Sequence, residues 1–303
     1  MKNDTKICLG ALLLGGIATY YYAGYHALKN AATKKENIRH RSIRKIDYDF
    51  LRQAQFEDFS ITTFDDLTLT GKFLPAQTSS NKVVILVHGY HSSNFREFSH
   101  FLKFYHNLGY HILMPNNRAH GDSEGQYVGF GWLDRLDIME WIHEIQHHFN
   151  FQPLQIVLHG ISMGGATVLM TGGETLSQDI KCIISDCAYT SALDEFKDVL
   201  HEKDIPSFLL IPNAKRLSKK AIGYDIKEAS ALKQVKKTKI PTLFIHGDQD
   251  KYVKPYMAYE LYNACASEKD LLIVEGAGHA QSYQTNPQLY EMTVKNFLKR
   301  YIS

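Results

Sequence analysis

The chain has 303 residues, of which 44% are hydrophobic and 22% are charged, and its formal net charge is +2. This composition is typical of a globular protein, and it gives no reason to expect a strongly acidic partner. The four cysteines show neither a C-x-x-C pair nor a zinc-binding spacing, so we expect buried thiols and no disulfide framework.

The N-terminal segment predicts a membrane anchor. Residues 7–28 contain no Asp, Glu, Lys or Arg, and a helix of that length reaches about 33 Å, enough to cross a bilayer core. Lys2 and Lys6 precede the segment, and four tyrosines lie towards its far end. We expect an uncleaved single-pass anchor over residues 1–28, and a buried N-terminal helix is the alternative.

A basic linker is predicted over residues 29–54. The positive-inside rule would keep the following domain in the cytoplasm, whereas a signal anchor would place it outside, with the basic stretch on anionic headgroups. The extracellular orientation is our prediction. The basic residues that follow the anchor segment most closely are Lys29, Lys34, Lys35, Arg39, Arg41, Arg44 and Lys45.

Alternating strands and helices follow the linker. Residues 59–64 and 67–74 alternate in polarity and predict an antiparallel hairpin, and the valine-rich run at 83–87 predicts a buried parallel strand. Further strands are expected at 111–114, 154–158, 181–185, 241–245 and 271–274. Helices are expected at 95–108, 133–147, 253–266 and 289–301. This order predicts an α/β fold with a mostly parallel, doubly wound sheet.

A long segment, residues 188–239, interrupts the alternation of strands and helices. It contains Pro206 and Pro212 and eleven Lys or Arg residues, nine of which lie in residues 215–239. We interpret it as a helical insertion that forms a small cap over the site. Its basic residues are expected to be a solvated face, and recognition of an anionic substrate or membrane is the alternative.

The sequence G-I-S-M-G occupies residues 160–164, between the predicted strand at 154–158 and an apolar, glycine-rich helix. A strand, G-x-S-x-G and a helix form the context of a nucleophile elbow. Gly160 and Gly164 would remove side chains that would collide in such a tight turn. The pattern therefore predicts an exposed hydroxyl on Ser162, next to the helix N-terminus.

Two further polar residues follow predicted strands, as Ser162 does. Ligands bind beyond the carboxyl ends of strands in such sheets, so Ser162, Asp250 and His279 are expected to meet there. A serine hydroxyl needs a general base, for which His279 is the candidate, and a carboxylate to orient the imidazole. We assign that carboxylate to Asp250, with Asp248 and Asp186 as alternatives.

Together these motifs resemble the α/β-hydrolase superfamily over residues 55–302, in which the order is Ser, Asp, His. The V-H-G-Y sequence at residues 87–90 resembles the oxyanion loop. Residues 116–125 resemble the D-x-R-G-H-G-x-S-x-G loop, with Asn116 in place of Asp and Ala119 in place of Gly. The chain looks most like bacterial membrane-anchored or cell-surface hydrolases related to serine aminopeptidases and acyl-aminoacyl peptidases.

The resemblance implies an α/β-hydrolase domain over residues 55–303, with the backbone N–H groups of Tyr90 and Met163 binding an oxyanion. We expect a serine hydrolase that cleaves an ester, thioester or amide of a small-molecule or peptide-like substrate. An esterase is the first choice and a peptidase the second. A catalytically inactive, membrane-anchored binding protein is the alternative from another class. No metal, cofactor or nucleic-acid site is predicted.

Overall fold

The computed structural model describes residues 32–34, 48–202, 204 and 206–303. The predicted membrane anchor, residues 1–28, lies outside these residues. Within the ranges that are described, no helix combines the length and the apolar character needed to cross a membrane.

A single eight-stranded sheet forms the centre of the protein, in the order β1-β2-β4-β3-β5-β6-β7-β8. The first two strands form the predicted antiparallel hairpin, β2 also pairs antiparallel with β4, and all other neighbours are parallel. The mostly parallel sheet is thus confirmed. The strands are β1 (Glu57–Thr62), β2 (Thr68–Leu74), β3 (Lys82–Val87), β4 (His111–Pro115), β5 (Gln155–Ile161), β6 (Ile180–Asp186), β7 (Thr242–Gly247) and β8 (Lys269–Val274).

The central strands are apolar on both faces because helices cover both sides of the sheet. In β3, Val83 and Ile85 pack into one core cluster, and Val84 and Leu86 pack into the cluster on the other face. Successive side chains of a strand point to opposite faces. The continuous apolar run, rather than an alternating one, is therefore what a doubly covered parallel strand requires.

Helices connect the strands and cover the two faces of the sheet. They are α1 (Tyr48–Gln53), α2 (Asn94–Phe98), α3 (Leu102–Asn107), α4 (Asp134–His148), α5 (Met163–Thr171), α6 (Ala192–Glu202), α7 (Ser207–Ile222), α8 (Ala231–Gln234), α9 (Tyr256–Ala264), α10 (Ser282–Thr285) and α11 (Pro287–Tyr301), with a 3₁₀ turn at Ile226–Glu228. The segment between β6 and β7 is helical, as expected.

The helix predicted at 95–108 is instead two short helices, α2 and α3. Phe101 has φ −136° at the break, and its backbone N–H bonds the Phe98 carbonyl. This turn lets both phenylalanines reach the same core, where their rings meet edge to face with centroids 5.6 Å apart. This distance is within the range of about 4.5 to 7 Å that aromatic pairs prefer. Burial of both rings therefore overrides helix continuity.

Part of the predicted linker packs on the domain. Ala32 is buried, and its carbonyl accepts the Val128 backbone N–H at 2.7 Å. The Lys34 ammonium donates to the Ser123 carbonyl, also at 2.7 Å. Helix α1 adds Phe50, whose ring contacts His106 at 5.4 Å. Residues 32–34 and α1 thus contact the domain that the sequence predicts for residues 55–303.

Candidate active site

Ser162 occupies a strained turn between β5 and α5. Its φ of 57° and ψ of −119° lie outside the regions that non-glycine residues prefer. A Cβ on Gly160 would lie 2.1 Å from the Gly164 carbonyl oxygen, and one on Gly164 would lie 1.9 Å from the Val87 carbonyl oxygen. Both glycines are therefore required by close backbone contacts, as the G-x-S-x-G pattern indicates.

The three predicted residues meet at the carboxyl edge of the sheet. Ser162 Oγ lies 2.9 Å from His279 Nε2, and His279 Nδ1 lies 2.8 Å from Asp250 Oδ2. With Nδ1 protonated, the imidazole donates to Asp250 and its Nε2 can accept the serine proton. A hydroxyl, an imidazole and a carboxylate in this order have the geometry of an activated nucleophile.

Asp250 is held in its ionised form. Its Oδ1 accepts the backbone N–H groups of Tyr252 and Val253 at 2.8 and 3.0 Å. Burial opposes the negative charge, but hydrogen bonds from His246 and His279 outweigh it and lower the pKa of Asp250 to about 2. At neutral pH the carboxylate therefore carries a full charge beside the imidazole.

His279 lies in a tight turn, in which the Gln281 N–H bonds the Gly278 carbonyl at 3.2 Å. Ala280 has φ 55° and completes the reversal of the chain. The Tyr252 ring lies 5.0 Å from the imidazole and is about half exposed, 51% of its surface. One side of the imidazole therefore faces an aromatic ring at the mouth of the site.

Met163 and Tyr90 both lie near the nucleophile. Met163 is the first residue of α5, the position at which helix N–H groups have no partner inside the helix. A Cβ on Gly89 would lie 3.2 Å from the Ser162 Cβ, so the loop that carries Tyr90 runs directly beside the serine. The helix N-terminus also favours negative charge at this point.

The loop at residues 116–125 contacts the segment that carries Tyr90. Arg118 is buried and bonds the carboxylates of Asp137 and Asp65. Ala119 takes φ 58°, a left-handed conformation that explains why glycine is usual there. The Asn117 N–H donates to His88 Nε2 at 3.0 Å. The loop therefore braces the segment that precedes Tyr90.

The two alternative carboxylates bond other groups. Asp248 Oδ1 accepts the Gly276 N–H at 2.7 Å, and Asp186 Oδ1 accepts the Ser282 hydroxyl at 3.1 Å. Asp248 thus shapes the turn before His279. Of the three candidate carboxylates, Asp250 is the one hydrogen-bonded to the imidazole.

One set of possible metal ligands adjoins the site. The Cys187 thiol, the Asp250 carboxylate and the His279 imidazole offer atoms within 4.8 Å of one another. Asp250 and His279 already bond each other, and burial raises the pKa of the Cys187 thiol, which keeps the thiol protonated. The arrangement therefore suits the hydrogen-bonded dyad better than a metal ion.

Sequence reasoning gave several residues near the site no role of their own. His246 lies inside the apolar strand β7, yet its Nε2 lies 3.3 Å from Asp250 Oδ2. Ser282 opens a four-residue helix that periodicity does not reveal. Tyr252 follows Asp250 by two residues, but its contact with the imidazole depends on the turn.

Comparison with known proteins gives the chain's relatives. The model of the prolyl oligopeptidase family matches residues 96–303. The uncharacterized protein YqkD of Bacillus subtilis is 32% identical over 201 residues, which cover 65% of this chain and 66% of that protein. The lysophosphatidylserine lipase ABHD12 of Danio rerio is 27% identical over 198 residues, which cover 64% of this chain and 50% of that protein.

Among solved structures, the esterase Pf2001 of Pyrococcus furiosus superposes with a TM-score of 0.68 at 25% identity. The superposition covers 88% of this chain and 100% of the esterase. The family match, over residues 96–303, includes the serine elbow, the turn that carries His279 and the strands between them. The chain therefore has the α/β-hydrolase fold and belongs to the prolyl oligopeptidase family.

Proposed function

We propose that the protein is a serine hydrolase that cleaves a carboxylic ester through an acyl-enzyme. The observation that carries this proposal is the hydrogen-bonded chain from Ser162 through His279 to Asp250. Family membership supports hydrolase chemistry in general, and the order of these contacts supports the role that we propose for each residue.

In the first step, Ser162 Oγ attacks the carbonyl carbon while His279 Nε2 takes the hydroxyl proton. Asp250 stabilises the imidazolium that forms. The tetrahedral intermediate then collapses, and His279 returns the proton to the leaving alcohol. Water repeats the sequence on the acyl-enzyme, which releases the acid and restores the serine.

The negative charge on the tetrahedral intermediate requires hydrogen-bond donors. We assign this role to the backbone N–H groups of Met163 and Tyr90. The position of Met163 at the start of α5 and the loop beside Ser162 support the assignment. One donor of this kind typically contributes about 10² to 10³ in rate.

An ester is the first choice of substrate, and a peptide-like amide is the second. The relative ABHD12 is named a lipase and the structural neighbour Pf2001 an esterase, whereas the family takes its name from a peptidase. One fold hosts many chemistries, so the leaving group must be tested directly.

The test is labelling by a fluorophosphonate probe, followed by hydrolysis of p-nitrophenyl esters of increasing chain length and of aminoacyl amides. We expect the probe to label the wild type and not Ser162→Ala. We expect His279→Ala to hydrolyse the ester more slowly than the wild type, by a factor of about 10⁴ or more. Wild-type rates in folded Ser162→Ala would exclude the acyl-enzyme mechanism.

A negative result has a defined meaning. Thermal unfolding of each variant shows whether a loss of labelling reflects chemistry or misfolding. If folded wild type neither reacts with the probe nor hydrolyses any ester or amide, the chain is better explained as a membrane-anchored binding protein.

We also propose that residues 1–28 anchor the protein and that residues 55–303 form the hydrolase domain, outside the cell. The uncharged apolar segment at residues 7–28 supports the anchor. Fractionation with and without detergent tests it, and recovery of full-length protein in the soluble fraction would contradict it. Protease accessibility on intact cells tests the orientation.

A further inference from the structure

The turn that carries His279 is fixed on both sides by carboxylates. Before the histidine, Asp248 Oδ1 accepts the Gly276 N–H at 2.7 Å. After it, Asp186 Oδ1 accepts the Ser282 hydroxyl at 3.1 Å. The imidazole itself bonds Asp250. Three carboxylates thus act on one short loop, and the mechanism above uses one of them.

Asp186 differs from Asp248 because it is also hydrogen-bonded to the backbone of Ser162. It is the last residue of β6 and is 2% exposed. Its backbone carbonyl accepts the Ser162 N–H at 2.8 Å, while its side chain holds Ser282, which is fully buried. A single residue therefore links the backbone of the serine elbow to the histidine turn.

The carboxylate of Asp186 is a buried charge close to the histidine. Burial raises its pKa to about 6, opposed by the nearby His246 and His279 and by hydrogen bonds. The carboxylate is therefore mainly ionised at pH 7 and protonated at pH 5. The groups that face it are His246 on β7, His279 on its turn, Ser282 on α10, Tyr290 on α11 and the adjacent Cys187.

Beyond Asp186, a series of hydrogen-bonded side chains extends into the core. Tyr290 lies near Asp186, and its hydroxyl lies 3.0 Å from His159 Nε2. The Tyr105 hydroxyl lies 2.7 Å from the other nitrogen of that ring. Hydrogen bonds between buried polar groups help to hold one geometry. The carboxylate is thereby held in position.

We propose that Asp186 is a positioning residue of the hydrolase site, which sets the distance between Ser162 and His279 and stabilises the imidazolium that forms on His279 during the reaction. This inference rests on the proposed function. A displacement of about 1 Å between reacting groups can cost about 10²-fold in rate, so a residue that joins both loops has a direct effect on turnover. A nearby negative charge also stabilises a cation.

The test compares Asp186→Asn with Ser282→Ala in the full-length protein, using the ester that the wild type hydrolyses best. Asn keeps an acceptor for Ser282 but removes the charge. We expect Asp186→Asn to lower kcat by about 10-fold to 100-fold with little change in KM. Because this variant has no carboxylate that becomes protonated at about pH 6, the acid limb of its kcat/KM profile should move to lower pH, by about half a pH unit or more.

Ser282→Ala separates position from charge, because it removes the hydrogen bond and leaves the carboxylate. We expect kcat to fall by about 3-fold to 10-fold, with a smaller displacement of the acid limb. Asp248→Asn is the matched control on the other side of the turn. This substitution should lower kcat modestly and leave the acid limb of the kcat/KM profile unchanged, because the side chain of Asp248 is partly exposed to solvent.

Folded Asp186→Asn with wild-type kcat and a wild-type acid limb would overturn the proposal. If Asp186→Asn does not fold, Ser282→Ala and Tyr290→Phe are used as the test instead. A wild-type kcat in both of these variants would also overturn the proposal. Failure of the proposed function itself is distinguishable, because Ser162→Ala would then hydrolyse the ester at the wild-type rate.

Discussion

Ser162 Oγ and His279 Nε2 lie 2.9 Å apart, although 117 positions separate them in the chain. The serine is fixed by the strained turn after β5, and the histidine by the turn after β8. Parallel strands deliver their carboxyl ends to one edge of the sheet, and this common edge is what brings the two side chains within hydrogen-bond distance.

Replacement of Asp250 by Asn should lower kcat by about 10⁴, because the amide disfavours the tautomer that accepts the serine proton. Steady-state ester hydrolysis provides the measurement, with Asp248→Asn as control. The control should lose less than about 10-fold, since Asp248 bonds the Gly276 N–H and not the imidazole. Equal losses in both variants would contradict the assignment of the carboxylate.

Arg118→Met should destabilise the protein by about 3 to 5 kcal/mol, because it leaves the buried Asp137 without its partner. Both side chains of this ion pair are only 3% exposed. The free energy of unfolding is measured by denaturant titration. Arg300→Met is the control, since the Arg300 ion pair with Asp270 is about half exposed and should contribute less than about 1 kcal/mol.

Glu195→Gln should stabilise the protein at alkaline pH. Both carboxylate oxygens of Glu195 are buried, and within the described residues neither has a hydrogen-bond partner. Burial, together with Asp198, Asp250 and Glu202, raises its pKa to about 8. Because the folded pKa exceeds the unfolded value, its contribution to stability is full below about pH 4.5 and is lost as the pH rises through about 8.

The measurement for Glu195→Gln is the free energy of unfolding of both proteins between pH 4.5 and 9. The advantage of the variant should grow over this range to about 2 to 4 kcal/mol, a value reduced for partial solvent access. Glu260→Gln, on the exposed side of α9, should show no such growth. A constant difference for Glu195→Gln across the range would contradict the prediction.

Gly164→Ala should prevent folding or cost more than about 4 kcal/mol, since its Cβ would lie 1.9 Å from the Val87 carbonyl oxygen. Gly223→Ala provides a contrast. Gly223 has φ 83° with nothing within 4 Å of an added Cβ, so alanine there meets conformational strain alone, about 1 to 2 kcal/mol. Thermal unfolding measures the loss of stability in each variant. Similar losses in Gly164→Ala and Gly223→Ala would show that steric contact at the elbow is not decisive.

The local pattern of the chain predicts most of the sheet. Continuous apolar runs identify β3 and β5, because both of their faces are covered. The role of the two glycines of the elbow is equally predictable from the sequence, because the steric requirement of the turn is local. The helix expected at 95–108 is wrong in its continuity, since the burial of Phe98 and Phe101 in one cluster depends on neighbours distant in sequence.

The sequence by itself placed Ser162, Asp250 and His279 after strands, and it left Asp186 and Asp248 as alternatives to Asp250. Only the tertiary structure decided which carboxylate faces the imidazole, and it did so by the path of the turns after β7 and β8. It also showed the contacts of Asp186 with Ser162 and Ser282. Strand ends follow from short-range hydrophobic patterns, whereas distances between side chains depend on how separate loops pack.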